Sequence, residues 1–275
     1  GMDAAEQLSE IFRAVAPLYK KRDKIYREVA GLLCEKGIAH PQMESLTAEE
    51  RSFAEKYFIA DVLPVLSPQI INAHHPFPHL VNKAIYIVLQ LKISDKTAYG
   101  IIPMPAMQDR LIFLPGNGMR YILLEELIYQ YAERVFDNCE IHAKSIICVT
   151  RNADINVDSL PDEDEDFRHH MKKVLRKRSR LAPVRLEHCG PIHDKLEKFL
   201  RAKLELKKEQ VFQSSAPLEM SYVFPLLDKV PDRIRQAVTY VPFEPQVPPW
   251  FKAGDSMIDK VMQEDLILSY PYEQM

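Results

Sequence analysis

The sequence predicts an α+β fold, with a long N-terminal amphipathic helix followed by a mixed, largely antiparallel sheet packed with helices. Three observations carry that prediction. Apolar residues recur at steps of three and four from Asp3 to about Lys36, the spacing of one helical face. Near residue 84 the period switches to two, as a strand with one buried face requires. Beyond that point strand-like and helix-like runs intermix without the regular βαβ alternation of a parallel sheet.

The first helix carries its stripe on Leu8, Ile11, Phe12, Val15, Leu18, Tyr19, Ile25, Tyr26, Val29, Leu32 and Leu33. Pro17 can kink it, and Gly37 closes it. In "SLTAEE" a short helix starts, with Thr47 as N-cap and Glu50 as its capping-box partner. In "KAIYIVLQLKI" the residues Ile85, Ile87, Leu89, Leu91 and Ile93 alternate with Tyr86, Val88, Gln90 and Lys92. "TAYGIIPM", "DRLIFLP" and "MRYILL" extend this strand into an antiparallel meander, with Gly116 and Gly118 in a hairpin turn. "EELIYQYAERVF" has helical spacing, "SIICVT" is a buried strand, and "DEDEDFRHHMKKVLRKRSR" is a helix. Strand "PVRLEHC", helix "PIHDKLEKFLRAKLEL" and strand "QVFQS" follow. The Pro-rich "YVPFEPQVPPWF" then leads to a last helix and an apolar strand, "DLILSY".

A chain of 275 residues with 47% hydrophobic content can bury a sizeable core. No run approaches the roughly 20 apolar residues that cross a bilayer, and no secretory pattern opens the chain. A cytoplasmic protein without membrane insertion is expected. The net charge of -3 gives no global attraction to nucleic acid, so any anion binding must be local. Cys34, Cys139, Cys148 and Cys189 form no C-x-x-C pair and read as reduced, buried thiols. With 8 glycines and neither of the two Gly-rich nucleotide motifs, no backbone-cradled phosphate site is expected.

Three stretches invite chemistry. "NAHHPFPHLVN" clusters His74, His75 and His79. Pro76 and Pro78 hold it extended, so His75 and His79 lie up to about 13 Å apart, whereas metal ligands converge at about 2 Å. A rigid, hydrogen-bonded connector is the expectation. "EIHAKSIICVT" contains His142 and Lys144, the H-x-K pair of phospholipase D-like phosphotransferases, in which a nucleophilic histidine works beside a lysine. Val149 stands where an acidic residue should follow, no second copy exists, and a strand places both residues on the face of Ile146 and Cys148; edge packing is expected. The cations Arg168, Lys172, Lys173, Arg176, Lys177, Arg178 and Arg180 follow the acidic Asp162 to Asp166. Two readings stand: a solvated helix face matched to the helix dipole, or a contact that follows a phosphate chain. Arg151 in "VTRNAD" is a further candidate polyanion contact.

Four stretches, in this order, resemble bacterial polyphosphate kinase: "VLPVLSPQIINAHHPFPHLVN", "VTRNADINVD", "VPFEPQVPP" and "MIDKVMQEDLILSYPYEQM". The first is similar to that family's "P-x-L-T-P" followed by "H-P-F-P", and the second to its "VTR-[DN]-AD" strand end. "SYPY" stands where the family often has "HHPY", and Met275 where Phe is usual. The resemblance implies an enzyme that transfers the terminal phosphate of ATP to polyphosphate through a phosphohistidine on domains lying beyond Met275. It assigns residues 3–36 to the last helix of an N-terminal helical domain, 37–255 to a head domain and 256–275 to the lead-in to the catalytic part. ATP and Mg²⁺ are then cofactors of the complete enzyme, with no catalytic, cofactor or metal residue in this chain. The head is expected to form a homodimer and to help shape the polyphosphate channel. The expectation is a scaffold without turnover, the alternative a free-standing polyanion-binding or oligomerisation module.

Overall fold

The computed structural model describes residues 2–72, 75–94, 96–152, 182–252 and 254–273. It divides into two compact units, Gly1–Asp228 and Lys229–Met275.

In the first unit, helix α1 (Ala4–Glu35) opens with a capping box in which Asp3 and Glu6 bond each other's backbone N–H, and it runs continuously through Pro17. Gly37, at a positive φ of 85°, turns the chain into β1 (Ile38–Ala39), a conformation that glycine reaches without a Cβ clash. Helix α2 (Ala48–Tyr57) starts at Thr47 with the expected capping box to Glu50. Strands β2 (Gln69–Ile71), β3 (Ile85–Ile93), β4 (Lys96–Pro103), β5 (Leu111–Phe113) and β6 (Met119–Leu123) follow. Then come helices α3 (Leu124–Gln130) and α4 (Ala132–Val135), strands β7 (Glu140–Arg151) and β8 (Pro183–Cys189), helix α5 (Asp194–Leu204) and strand β9 (Val211–Ser214).

The described strands form two sheets. The larger has the order β2-β4-β3-β7-β8-β9, and the smaller β1-β6-β5. Pairing is antiparallel except between β8 and β9 and between β1 and β6. The single meander expected from β3 to β6 is therefore divided. β3 and β4 pair in the large sheet, while the β5–β6 hairpin joins β1 in the small one. Local periodicity identifies strands but carries no information about which distant strand each will pair with.

The expected one-sided burial of β3 is also corrected, because helices cover both faces. Ile87, Leu89 and Leu91 pack with Phe58, Val62, Leu127 and Ile128 from the α2 and α3 side. Tyr86 and Val88 pack with Leu196, Leu200 and Leu204 of α5 on the other. The run "EELIYQYAERVF" breaks at Tyr131 into α3 and α4. Helix α1 lies against β9, where Tyr19 stacks on Phe212 with ring centroids 4.6 Å apart.

In the second unit, helices α6 (Asp232–Val238) and α7 (Met257–Gln263) accompany an isolated parallel bridge between Gln246 and Glu273. Residues 265–269, expected as a strand, have no ladder partner and remain irregular. The predicted helix "DEDEDFRHHMKKVLRKRSR" lies outside the described residues.

Candidate functional site

Near the end of β7 several polar side chains of the described residues converge. Cross-strand register places Thr150 opposite Arg185 and Cys148 opposite Glu187. Since alternate residues of a strand share a face, all four fall on one side of the sheet. Helix α1 runs over that side, and between them lies a cleft of about 490 Å³ that also takes in Tyr19, Arg22 and Lys83. Glu187, 7% exposed, accepts from Arg22 Nη1 at 3.3 Å and forms an ion pair with Arg185 Nη2 at 3.3 Å. Arg185 also donates Nε and Nη2 to the Thr150 hydroxyl at 3.2 and 2.9 Å. The Lys83 backbone adopts a φ of +58° and donates its N–H to Val149 at 2.8 Å, which fixes this lysine beside Thr150.

Cys148, on the same face, has its thiol pushed up to about 12, mainly by burial and then by Glu187. The thiol stays protonated and is a poor nucleophile at neutral pH. Cys139 and Cys189 are half-buried, whereas Cys34 is exposed on α1, which corrects the expectation that all four thiols are buried.

Arg151 closes β7 and is 9% exposed. Its N–H donates to Asn82 Oδ1 at 2.9 Å and its Nε to the Leu80 carbonyl at 2.7 Å, pinning the 80–82 loop to the sheet. Arg168, Lys172, Lys173, Arg176, Lys177 and Arg180 lie outside the described residues, as does His74. The described flanks of that segment meet where Asn152 N–H donates to the Ala182 carbonyl at 3.3 Å.

The H-x-K pair is separated by a β-bulge. Gln90 faces Ala143 and Leu91 faces Ile141, so His142 is the extra residue. Ile141, in place of His142, joins the core cluster of Ile146 and Cys148, because a bulge resets the alternation of faces. Lys144 donates to the Tyr129 carbonyl at 2.8 Å and to Glu133 at 3.0 Å. His75 bonds Asn72 through its backbone N–H at 2.9 Å, and Asn72 N–H returns to the His75 carbonyl at 3.1 Å, the connector role expected for this stretch. Among the described residues no group of His, Cys, Asp or Glu could hold a metal ion, and no helix is long and apolar enough to cross a membrane.

A second polar group fastens α1 to the domain. His40 bonds Tyr26 Oη at 2.8 Å and Glu126 at 2.8 Å, with its ring stacked on Tyr121 at 4.9 Å. Burial pushes the Tyr26 hydroxyl up to about 12. Sequence inspection missed His40, Lys83 and Arg185, because each stands alone in the sequence and acquires partners only through pairing of distant elements. The available hint was Arg185 and Glu187 alternating with buried Leu186 in β8.

These features define an α+β domain in which Arg22, Lys83 and Arg185 meet at one end of a mixed sheet, under a long helix. The polyphosphate kinase middle-domain model matches residues 49–226, and the chain belongs to that family. It is similar to polyphosphate kinases of Bacillus anthracis, 31% identical over 86% of this chain and 35% of that protein, and of Bacillus cereus, 30% identical over 99% and 40%. The chain thus spans 35–40% of the length of these two relatives. The fold is shared with the crystal structure of polyphosphate kinase from Porphyromonas gingivalis, with a TM-score of 0.70 and 18% identity over 98% of this chain and 40% of that one.

Proposed function

We propose that this chain is a non-catalytic head portion of a polyphosphate kinase, a scaffold that supports phosphate transfer carried out elsewhere in the complete enzyme. The middle-domain match over residues 49–226 carries this reading. In the complete enzyme ATP would supply the phosphoryl group, with Mg²⁺ offsetting the charge of its phosphates, and a phosphohistidine outside this chain would relay it to polyphosphate. His142 is a poor candidate for that nucleophile, being a bulge residue whose neighbour Lys144 is engaged by Tyr129 and Glu133. The boundaries at 36 and 255, a cytoplasmic location and a homodimer through the head belong to the same reading. Arg168, Lys172, Lys173, Arg176, Lys177 and Arg180 are its polymer contact, since a row of cations gains affinity along a phosphate chain by releasing counterions. Arg151 would hold the base of that segment through the 80–82 loop.

The purified chain incubated with ATP, Mg²⁺ and polyphosphate tests this. The expected result is no transfer above background, with polyphosphate retained at low salt and released as salt rises. Replacing Lys172, Lys173, Arg176 and Lys177 by Gln should weaken retention. Transfer that disappears in His142→Ala would overturn the reading and make the H-x-K pair catalytic.

A further inference from the structure

We infer that the cleft between α1 and the β7–β8 edge binds a phosphomonoester, one phosphoryl group joined to an apolar body. Its volume of about 490 Å³ lies within the roughly 300–1,000 Å³ of small-molecule pockets. Its cations are Arg22, Lys83 and Arg185, from three separate elements. The acids around them are accounted for. Glu187 is shared by both arginines, Asp23 lies 3.4 Å from Arg22 and is held by Ser214 and Ser215, and Glu219 is bound by Arg110 at 3.1 Å. Glu219, which also lines the cleft, shares Arg110 with the buried Glu125, so cations and acids around the cleft balance in number. Lys83 is the cation left to a ligand, since its ammonium makes no ion pair or hydrogen bond among the described residues.

Two further observations point to an oxyanion as the ligand. Arg185 spends a two-toothed N–H face on Thr150, a neutral hydroxyl, although a guanidinium fork matches a carboxylate or phosphate better. Thr150 accepts both of those bonds, so its own proton is available to donate to the same ligand. Arg22 Nε, also in the cleft wall, is buried without a hydrogen-bond partner, an arrangement that carries a cost unless an acceptor arrives. The remaining wall is apolar, formed by Val15, Leu18 and Met220, which suits the body of an ester better than a fully charged chain. This ligand differs from the polymer proposed for the basic run, and none of the run's residues takes part.

The backbone at Lys83 allows a clean test. Asn tolerates a positive φ better than Lys, so Lys83→Asn removes the charge while relaxing the chain. Isothermal titration of the intact chain with phenyl phosphate, and with inorganic phosphate for comparison, reads the site. Saturable binding is expected, with phenyl phosphate roughly tenfold tighter than inorganic phosphate because its ring is removed from water. Lys83→Asn should weaken phenyl phosphate roughly tenfold or more while leaving the melting temperature unchanged or higher, and Arg185→Gln should weaken it likewise. Absence of saturable phenyl phosphate binding, equal affinity for the two probes, or unchanged affinity in Lys83→Asn would each overturn the inference.

Discussion

Removing Arg110 should cost this fold about 3 kcal/mol at neutral pH, and the loss should shrink on acidification. Arg110 donates to Glu125 from Nε at 3.1 and 3.2 Å and from Nη2 at 2.7 Å, to the Leu218 carbonyl at 2.6 Å and to the Glu219 carboxylate at 3.1 Å. It thereby ties the start of β5 to α3 and to the 218–219 turn. The Glu125 side chain is 3% exposed and that of Arg110 21%. Removing one partner of a buried pair costs about 3–5 kcal/mol, and the lower end applies because Arg110 keeps some contact with water. Burial raises the carboxyl of Glu125 above its ordinary range, opposed by the hydrogen bonds and charge of Arg110. An acid raised in the folded state destabilises the fold above its unfolded value, and that penalty is relieved as falling pH protonates it. Arg110→Met removes the opposing influence, so Glu125 rises further and the variant's deficit should be largest at pH 7 and smaller toward pH 5. In thermal melts the pH 7 deficit corresponds to about 6–12 °C for a unit of this size. Circular dichroism is the suitable probe, since the single tryptophan, Trp250, lies in the second unit. A deficit below about 1 kcal/mol, the range of exposed pairs, or one independent of pH would refute the reasoning.

Gly100→Ala should destabilise by about 1–3 kcal/mol through overpacking, because an added Cβ would lie 2.8 Å from Phe136 Cζ and 3.1 Å from Leu91 Cδ1; a chemical denaturation midpoint measures it. Asp23→Asn should loosen α1 from the 214–215 turn, seen as faster amide exchange along α1. Burial acts to raise the Asp23 carboxyl, but bonds from Ser215 N–H and the Ser215 and Ser214 hydroxyls, with Arg22, hold it below its usual range. Its contribution is present above the unfolded value near 3.9 and is lost as pH falls through the lowered folded value, so the variant should show less acid-dependent loss there. Thr47→Ala should cost about 1 kcal/mol by removing the cap of α2, measured by urea unfolding, while Glu50 keeps its bond to Arg120 Nε at 2.5 Å.

Much of this protein was determined by its sequence alone, and for local reasons. The 3.6 period of α1, the capping box at Thr47, the glycine turn after Phe113 and the extended run of β3 depend on neighbours a few residues away. The resemblance in "HPFPHLVN" and "VTRNAD" likewise needs only contiguous residues. Tertiary structure decided what depends on distant partners. Helix α5 covers the second face of β3, although nothing in "KAIYIVLQLKI" announces it. A bulge separates His142 from Lys144 only because β3 and β7 pair in a particular register. Arg22, Lys83, Thr150 and Arg185, spread over more than 160 positions of the chain, become neighbours when α1 crosses the edge of β7 and β8. Isolated charges in a sequence are indistinguishable from solvated surface; pairing and burial decide which of them share one cleft.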